Sequence, residues 1–179
     1  IKQHGAEFPV AWNDGHNIGQ QWKPGSMPTA FGIDKQGVIR HVHMRNVGEH
    51  AVVLQGAKRS RLEHIGVECE STNATGISIK ENANGTLVRN VRVSRCAAGL
   101  VSSTGMGVYE NINASSNTGY GAFIGGPDNV AAQVTASGNQ AGIRVGPNGV
   151  LMHATSVNNE GGGIAGDGIL HILVRGIKI

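Results

Sequence analysis

Residues 110–125 read ENINASSNTGYGAFIG and contain two apolar alternations separated by a polar bend. Apolar residues alternate with polar ones at Ile112 and Ala114, a polar bend follows at Asn117, and a second alternation starts after Gly121. Alternation of this kind predicts a half-buried β-strand, and glycine and asparagine tolerate the backbone angles of sharp turns. The stretch therefore predicts two short strands joined by a tight bend.

The same pattern recurs along the chain, for example in AQVTASGNQAGIRVG (132–146) and LMHATSVNNEGGGIAG (151–166). The small residues before the second alternation follow one another at intervals of 25, 23, 22, 21 and 21 residues: Ala51, Gly76, Gly99, Gly121, Gly142 and Gly163. Propeller blades need about 40 to 50 residues, and leucine-rich repeats need a leucine consensus that is missing here. The period therefore predicts a β-solenoid, in which each repeat is one coil and equivalent strands pair in parallel.

Alternation also predicts which residues fill the interior of the coils. We expect the following apolar residues to stack there: Val42, Met44, Ile65, Val67, Val91, Val93, Ile112, Ala114, Val134 and Ala136. Asn117, Asn139 and Asn159 recur at the same phase of the bend. We expect these asparagines to form a hydrogen-bonded ladder from coil to coil.

The composition agrees with short strands and many turns, and it excludes other classes. Glycine supplies 28 of 179 residues, aromatic residues 4% and charged residues 15%. Disordered chains combine low hydrophobicity with high net charge, and collagen needs glycine at every third position. The net charge is only +3, and the single basic cluster, AKRSRLEH (57–64), is typical of a solvated turn. We therefore expect no nucleic-acid partner, and since no apolar run is long enough to span a bilayer, no membrane insertion.

Two further features concern the ends of the chain and its cysteines. Residues 1–30 hold both tryptophans and three of the five prolines without clear alternation, which predicts an irregular N-terminal coil or cap. The predicted β-helix then covers residues 31–179. Cys69 and Cys96 lie about one repeat apart, so a bond between them and two buried thiols are both compatible with the sequence; we expect the thiols.

The repeated patterns NINASSNTGYGAFI (111–124) and VTASGNQAGIRV (134–145) resemble the right-handed parallel β-helix superfamily of pectate lyases and phage tailspikes. The resemblance covers roughly residues 31–179. It implies an all-β, right-handed parallel β-helix of about six to seven coils, a carbohydrate polymer as ligand, a homotrimer, and an extracellular location on a virion surface or in secreted form. The Asn-Thr-Asp, Asp-Asp and Gly-His-Gly motifs of polygalacturonases and the clustered calcium-binding aspartates of pectate lyases do not occur here, and we expect neither a metal nor another cofactor.

The outward positions of the first strand of each repeat fall into three registers. They are His41, His64, Asn90, Asn111 and Gln133; then His43, Arg92, Asn113 and Thr135; then Arg45, Glu68, Ser94, Ser115 and Ser137. The charged end of this face predicts catalysis. A carboxylate would act as acid or base, an arginine would bind a carboxylate of the substrate, and a histidine would transfer protons. The predicted catalytic residues are Glu68, Glu70, His64, Arg45 and Arg92. The predicted substrate-binding residues are His43, Asn111, Asn113, Phe123 and Arg144.

Each part of this site has an alternative. Glu68 and Glu70 lie on one side of a strand at about 7 Å, a separation compatible with glycoside hydrolysis, whereas Arg45 and Glu68 would also form an ordinary surface ion pair. Phe123 beside Arg144 predicts a contact with a sugar ring or with another subunit. Two functions follow: a polysaccharide depolymerase, either glycoside hydrolase or polysaccharide lyase, or a non-catalytic structural or receptor-binding shaft.

Overall fold

A computed structural model describes residues 37–70 and 72–167 and the backbone of residues 172–178. These residues form strands, turns and bends, and no helix occurs among them. The chain repeatedly forms a long strand, a bend, a short strand and a turn. The all-β prediction is thus confirmed, while the predicted cap at residues 1–30 lies outside the described residues.

The long strands are β1 (Val38–Val47), β3 (Arg61–Cys69), β5 (Leu87–Ser94), β7 (Val108–Ser115), β9 (Val130–Ser137), β11 (Val150–Val157) and β13 (Ile172–Lys178). The short strands are β2 (His50–Gln55), β4 (Thr75–Lys80), β6 (Ala98–Ser102), β8 (Tyr120–Ile124), β10 (Ala141–Val145) and β12 (Ile164–Gly166). The seven long strands form one sheet, called here the long sheet, and the six short strands form the short sheet. Neighbouring strands pair in parallel in both sheets. The structure is therefore a parallel β-helix of about six coils, as predicted.

The interior is a set of apolar columns, because each coil places equivalent residues above one another. Ile112 pairs with Val91 of the preceding coil and with Val134 of the following one. All three side chains are buried. The other predicted interior residues are buried as well, except Val42, which is partly exposed and packs against the core. Each fully buried valine or isoleucine contributes about 1.5 to 3 kcal/mol, so these columns hold the coils together.

The alternation breaks at one point in each of the long strands from β1 to β11, which the sequence did not predict. In β3, Glu63 and His64 both face outward between buried Leu62 and buried Ile65. His64 has a φ of 57°. Residues with φ between 51° and 57° occupy the same position in all six complete coils: His41, His64, Asn90, Asn111, Gln133 and His153. Asparagine and histidine adopt this left-handed conformation more readily than most non-glycine residues, so the long sheet turns a corner along this column.

The bend after each long strand contains the predicted asparagine ladder. Asn117 Nδ2 donates to Asn139 Oδ1 at 2.8 Å, and Asn139 Nδ2 donates to Asn159 Oδ1 at 3.0 Å. One coil before Asn117, the backbone N–H of Cys96 donates to Asn117 Oδ1 at 2.9 Å. Cys96 therefore occupies the position of the ladder asparagine in the coil before Asn117.

The prediction of two free thiols is wrong, because Cys69 and Cys96 form a disulfide bond. The two residues lie on stacked coils with their Cα atoms 4.9 Å apart. This separation is close to the spacing of paired strands and falls within the range that a disulfide bond spans.

Candidate functional site

Past the corner, the outward surface of the long sheet carries two columns of residues, called here the polar face, whose side chains are all polar except at Gly66. One column contains His43, Gly66, Arg92, Asn113, Thr135 and Thr155, and the other contains Arg45, Glu68, Ser94, Ser115 and Ser137. Successive members stand about 4.8 Å apart because they occupy adjacent parallel strands. The two registers predicted for these columns are confirmed.

Glu68, the central predicted catalytic residue, lies between two arginines. Its Oε1 is 2.7 Å from Nη1 of Arg95, and its Oε2 is 3.9 Å from Nε of Arg45. Sequence reasoning predicted Arg45 but missed Arg95, which sits in the bend after β5, where alternation no longer indicates side-chain direction. Both arginines are about 70% exposed, so these ion pairs orient the carboxylate and contribute little stability.

Two other predicted catalytic residues occupy the corner before Glu68 and the bend after it. His64 belongs to the corner column, where its ring stacks on that of His41 at 4.7 Å between centroids. Glu70 is exposed in the bend after β3, and its backbone N–H donates to the carbonyl oxygen of Val47. In the described part of the chain, neither His64 nor Glu70 forms a hydrogen bond or ion pair with Glu68.

Asn111, a predicted substrate-binding residue, also belongs to the corner column. Asn111 Nδ2 donates to Asn90 Oδ1 at 2.8 Å, and the amide of Asn90 lies 3.5 Å from Nε2 of His64. Asn113 lies one position beyond the corner on the polar face, beside Arg92 of the preceding coil. The structure therefore separates Asn111 and His64 from Arg92 and Asn113.

The first coils of the polar face carry an excess of positive charge. Arg45 Nε donates to His43 Nε2 at 3.3 Å. The ring of His43 covers Gly66, where a Cβ atom would lie 2.6 Å from Nδ1. Arg92 is exposed, and no ion pair involves it within residues 37–70 and 72–167. The first coils of the polar face and the adjoining bend thus carry three arginines, of which Arg45 and Arg95 engage the carboxylate of Glu68.

On the other side of the corner runs a charged column that sequence reasoning missed. Arg40 Nε lies 2.9 Å from Glu63 Oε2, and Arg89 Nε lies 3.0 Å from Glu110 Oε2. The four residues follow one another in strand register. Together with Glu68, these glutamates are all the carboxylates on the described strands, and each of the three is ion-paired.

The short sheet brings Phe123 and Arg144 together as predicted, and adds two residues that the sequence did not suggest. The guanidinium carbon of Arg144 is 5.7 Å from the centroid of the Phe123 ring. Tyr120 packs against Phe123 at 5.3 Å between centroids, and Asp167 Oδ2 lies 3.4 Å from Arg144 Nη2. Hydrogen bonding to Tyr120, and then to Asp167, raises the pKa of Arg144 above its ordinary value. These four residues are called the aromatic cluster.

The described residues give no sign of a metal centre or a membrane span. Across the described ranges, no three histidine, cysteine, aspartate or glutamate side chains group closely enough to hold a metal ion. In the same part of the chain no helix has the length and apolarity needed to cross a bilayer.

Comparison with known proteins agrees with this architecture. A protein-family model described as "Right handed beta helix region" matches residues 29–176, a range that contains all six complete coils. Neither the curated proteins nor the solved structures contain a match to the chain.

Proposed function

We propose a function that follows from the family of this protein: the chain belongs to the right-handed β-helix family. That membership fits proteins that act on polysaccharides and also β-helices that serve as structural shafts. Among these, we propose that the chain binds an extended carbohydrate polymer along the polar face, in a phage tailspike-like or secreted protein.

One observation carries the proposal: hydroxyl and amide side chains recur on the polar face at one-coil intervals. They are Ser94, Asn113, Ser115, Thr135, Ser137 and Thr155. A polymer with repeating hydroxyl groups meets repeating donors and acceptors on such a surface. Each hydrogen bond contributes about 1 kcal/mol, so affinity would arise from many weak contacts made together.

Cleavage of the polymer is the second candidate, and Glu68 is the observation that favours it. Glycosidases commonly use two carboxylates about 5 to 9 Å apart. On the described strands the polar face carries one carboxylate, and Arg45 and Arg95 both engage it. This arrangement supports binding more than hydrolysis. A depolymerase with Glu68 as acid or base, assisted by Glu70, His64 or Arg92, is therefore the weaker proposal.

Location and assembly are also proposals. Disulfide bonds persist mainly in oxidising compartments, so the Cys69–Cys96 bond supports an extracellular site of action. The tailspike resemblance supports a homotrimer, which sedimentation equilibrium of the full chain would test.

Affinity electrophoresis tests the binding proposal. The protein is run through native gels that contain capsular polysaccharide, lipopolysaccharide, pectin or dextran, and retardation by at least one polymer is expected. Arg92→Ala and Asn113→Ala should reduce the retardation. Arg61→Ala is the matched control, because Arg61 is an exposed arginine in β3 on the other side of the corner. If no polymer retards the protein, the chain is a shaft without carbohydrate affinity and the proposal is wrong.

The same samples decide between binding and cleavage. After incubation, new reducing ends would report hydrolysis, and ultraviolet absorbance of unsaturated sugars would report a lyase. We expect neither. Products that disappear in Glu68→Gln would establish the depolymerase, and products that persist in this variant would place catalysis elsewhere.

A further inference from the structure

The aromatic cluster lies on the short sheet, so the polar face of the long sheet does not include it. Among the tyrosine, tryptophan and phenylalanine residues of the described ranges, Tyr109 is buried, and only Tyr120 and Phe123 are partly exposed. Both belong to β8. The exposed aromatic surface of the described chain is therefore concentrated on one coil of one sheet.

The Phe123 ring lies over Gly125 and beside the ring of Tyr120. A Cβ atom on Gly125 would lie 2.3 Å from Cε1 of Phe123, so the ring occupies space that only glycine leaves open. Tyr120 closes one side of the ring at an interplanar angle of 53°. These contacts restrict the Phe123 ring, and restriction of a side chain before binding reduces the entropy cost of binding.

Arg144 supplies a charge beside these rings. Its Nη2 donates to Oδ2 of Asp167, and hydrogen bonding to Tyr120 is the main cause of the raised pKa of Arg144. The Nη2–Oδ2 distance of 3.4 Å is long for a charge-assisted hydrogen bond, which is typically about 2.7 to 2.9 Å. The side chain of Asp167 is 65% exposed and that of Arg144 is 41% exposed. Asp167 is thus a loose, solvent-accessible partner of an oriented guanidinium.

We propose that the aromatic cluster is a second carbohydrate site, which binds an acidic sugar through its carboxylate. The sugar carboxylate takes the place of Asp167 on the planar fork of Arg144, which suits two parallel hydrogen bonds to a carboxylate. The apolar side of the sugar ring contacts the exposed surfaces of Tyr120 and Phe123. The inference rests on the proposed function only in the class of ligand, because it uses different residues on a different sheet.

Asp167 competes with the sugar carboxylate for Arg144. When the sugar binds, Arg144 exchanges one carboxylate for another, so the protein's own carboxylate opposes the ligand. Asp167→Asn removes the opposing charge while it preserves the size of the side chain. This variant should bind the acidic sugar about three- to tenfold more tightly, which corresponds to relief of a weak exposed ion pair.

The test uses two small probes on the full chain. Sodium glucuronate is the acidic probe and glucose is the neutral one, and NMR follows the aromatic resonances of Tyr120 and Phe123 during titration. Glucuronate should shift these resonances saturably, and glucose should not. Arg144→Gln should weaken glucuronate binding about tenfold or more, because the carboxylate loses its charged partner.

A matched control separates this site from a general effect of charge. Arg89 is 45% exposed and ion-paired with Glu110, much as Arg144 is paired with Asp167, but it lies on the long sheet. Arg89→Gln should leave glucuronate binding unchanged. Equal binding of glucose and glucuronate would overturn the inference. Undiminished glucuronate binding by Arg144→Gln would also overturn it, and so would glucuronate binding by Asp167→Asn that is no tighter than that of the wild type.

The two carbohydrate proposals fail separately. Polymer retardation that depends on Arg92 and Asn113, together with no response to glucuronate, would retain the polar face and reject the second site. A glucuronate response that depends on Arg144, without polymer retardation, would do the reverse. Absence of both responses rejects both proposals.

Discussion

The side-chain oxygen of Asn139 accepts two hydrogen bonds from Asn117, one from its backbone N–H at 3.0 Å and one from Nδ2 at 2.8 Å. Asn139 in turn donates to the carbonyl oxygen of Ala114 at 3.1 Å. Both asparagines are almost completely buried. This rung of the ladder thus satisfies backbone and side-chain groups of the preceding coil in a place that water does not reach.

Asn139→Ala should therefore destabilise the protein strongly. The change leaves the backbone N–H of Asn117 buried without its acceptor, and an unsatisfied buried group costs about 1 to 3 kcal/mol. With the other lost bonds, we expect the free energy of unfolding in urea to fall by about 3 kcal/mol. The neighbouring Gln140→Ala is the control: Gln140 is exposed, so the change should be within about 0.5 kcal/mol. Equal effects of the two substitutions would contradict a structural role for the ladder.

Gly99→Ala should be destabilising for a steric reason. A Cβ atom at this position would lie 2.4 Å from the carbonyl oxygen of Gly121 and 3.0 Å from Nδ2 of Asn117. Because the first contact is with backbone, the adjacent coils must move apart, at a cost of about 1 to 3 kcal/mol. Gly48→Ala provides the comparison, since a Cβ atom there meets nothing within 4 Å. Thermal unfolding should show a lower Tm for the first variant and an unchanged or slightly higher Tm for the second.

Reduction of the Cys69–Cys96 bond should lower stability without abolishing the fold. The bond closes a loop between residues 27 positions apart, and closure of such a loop restricts the unfolded chain by about 3 kcal/mol. We expect urea unfolding of the Cys69→Ser/Cys96→Ser variant to show a loss of this size, and added reductant to have no effect on that variant. Because both cysteines are buried, labelling is done in denaturant, where thiol reagents should react with the wild-type protein only after reduction. Labelling of two cysteines in the denatured, unreduced protein would show that the bond is absent.

Stability should decline at alkaline pH because of Tyr109. Burial raises the pKa of Tyr109 to about 12, despite hydrogen bonds to Ser102 and Thr104 that act in the opposite direction. In the unfolded chain a tyrosine ionises near pH 10. Below pH 10 both states are protonated, whereas between pH 10 and 12 the unfolded state loses its proton first and is favoured. The free energy of unfolding should thus fall by about 1 kcal/mol by pH 11.

The Tyr109→Phe variant isolates the contribution of Tyr109 from other effects of alkaline pH. It should be slightly less stable at pH 8, because it loses the 2.6 Å hydrogen bond to Ser102 Oγ. Its stability should depend less steeply on pH between 10 and 12 than that of the wild type. Identical slopes for the two proteins would mean that another group causes the alkaline loss.

The coil architecture was predictable because its determinants are local in the sequence. Alternation places Ile112 and Val134 in the interior, and the period of the repeat places them in adjacent strands. The corner was not predictable, because His64 and Gln133 adopt positive φ only when stacked neighbours hold them there. The disulfide bond requires that Cys69 and Cys96 lie directly above one another in stacked bends. The repeat period places the two residues in adjacent coils but does not give the distance between them.

The candidate site was predictable only where strands carry it. The register of the repeat indicates the contacts of Glu68 with Arg45 and of Phe123 with Arg144. Arg95 and Asp167 lie outside the regular strands, so alternation says nothing of their directions. Tyr120 was missed because Gly121 and Ala122 are both buried, which interrupts the alternation between Tyr120 and Phe123.

The stacking of equivalent residues in columns also determines which insertions and deletions the fold tolerates during evolution. If one full period were duplicated or deleted, such as the 21 residues that separate Gly121 from Gly142, every column would meet its equivalent again and the molecule would change length by about 4.8 Å. A single residue inserted within a strand would instead reverse the facing of every side chain after it in that strand. The length of the polar face thus changes in whole-coil increments, through recombination of repeats and not through point substitutions.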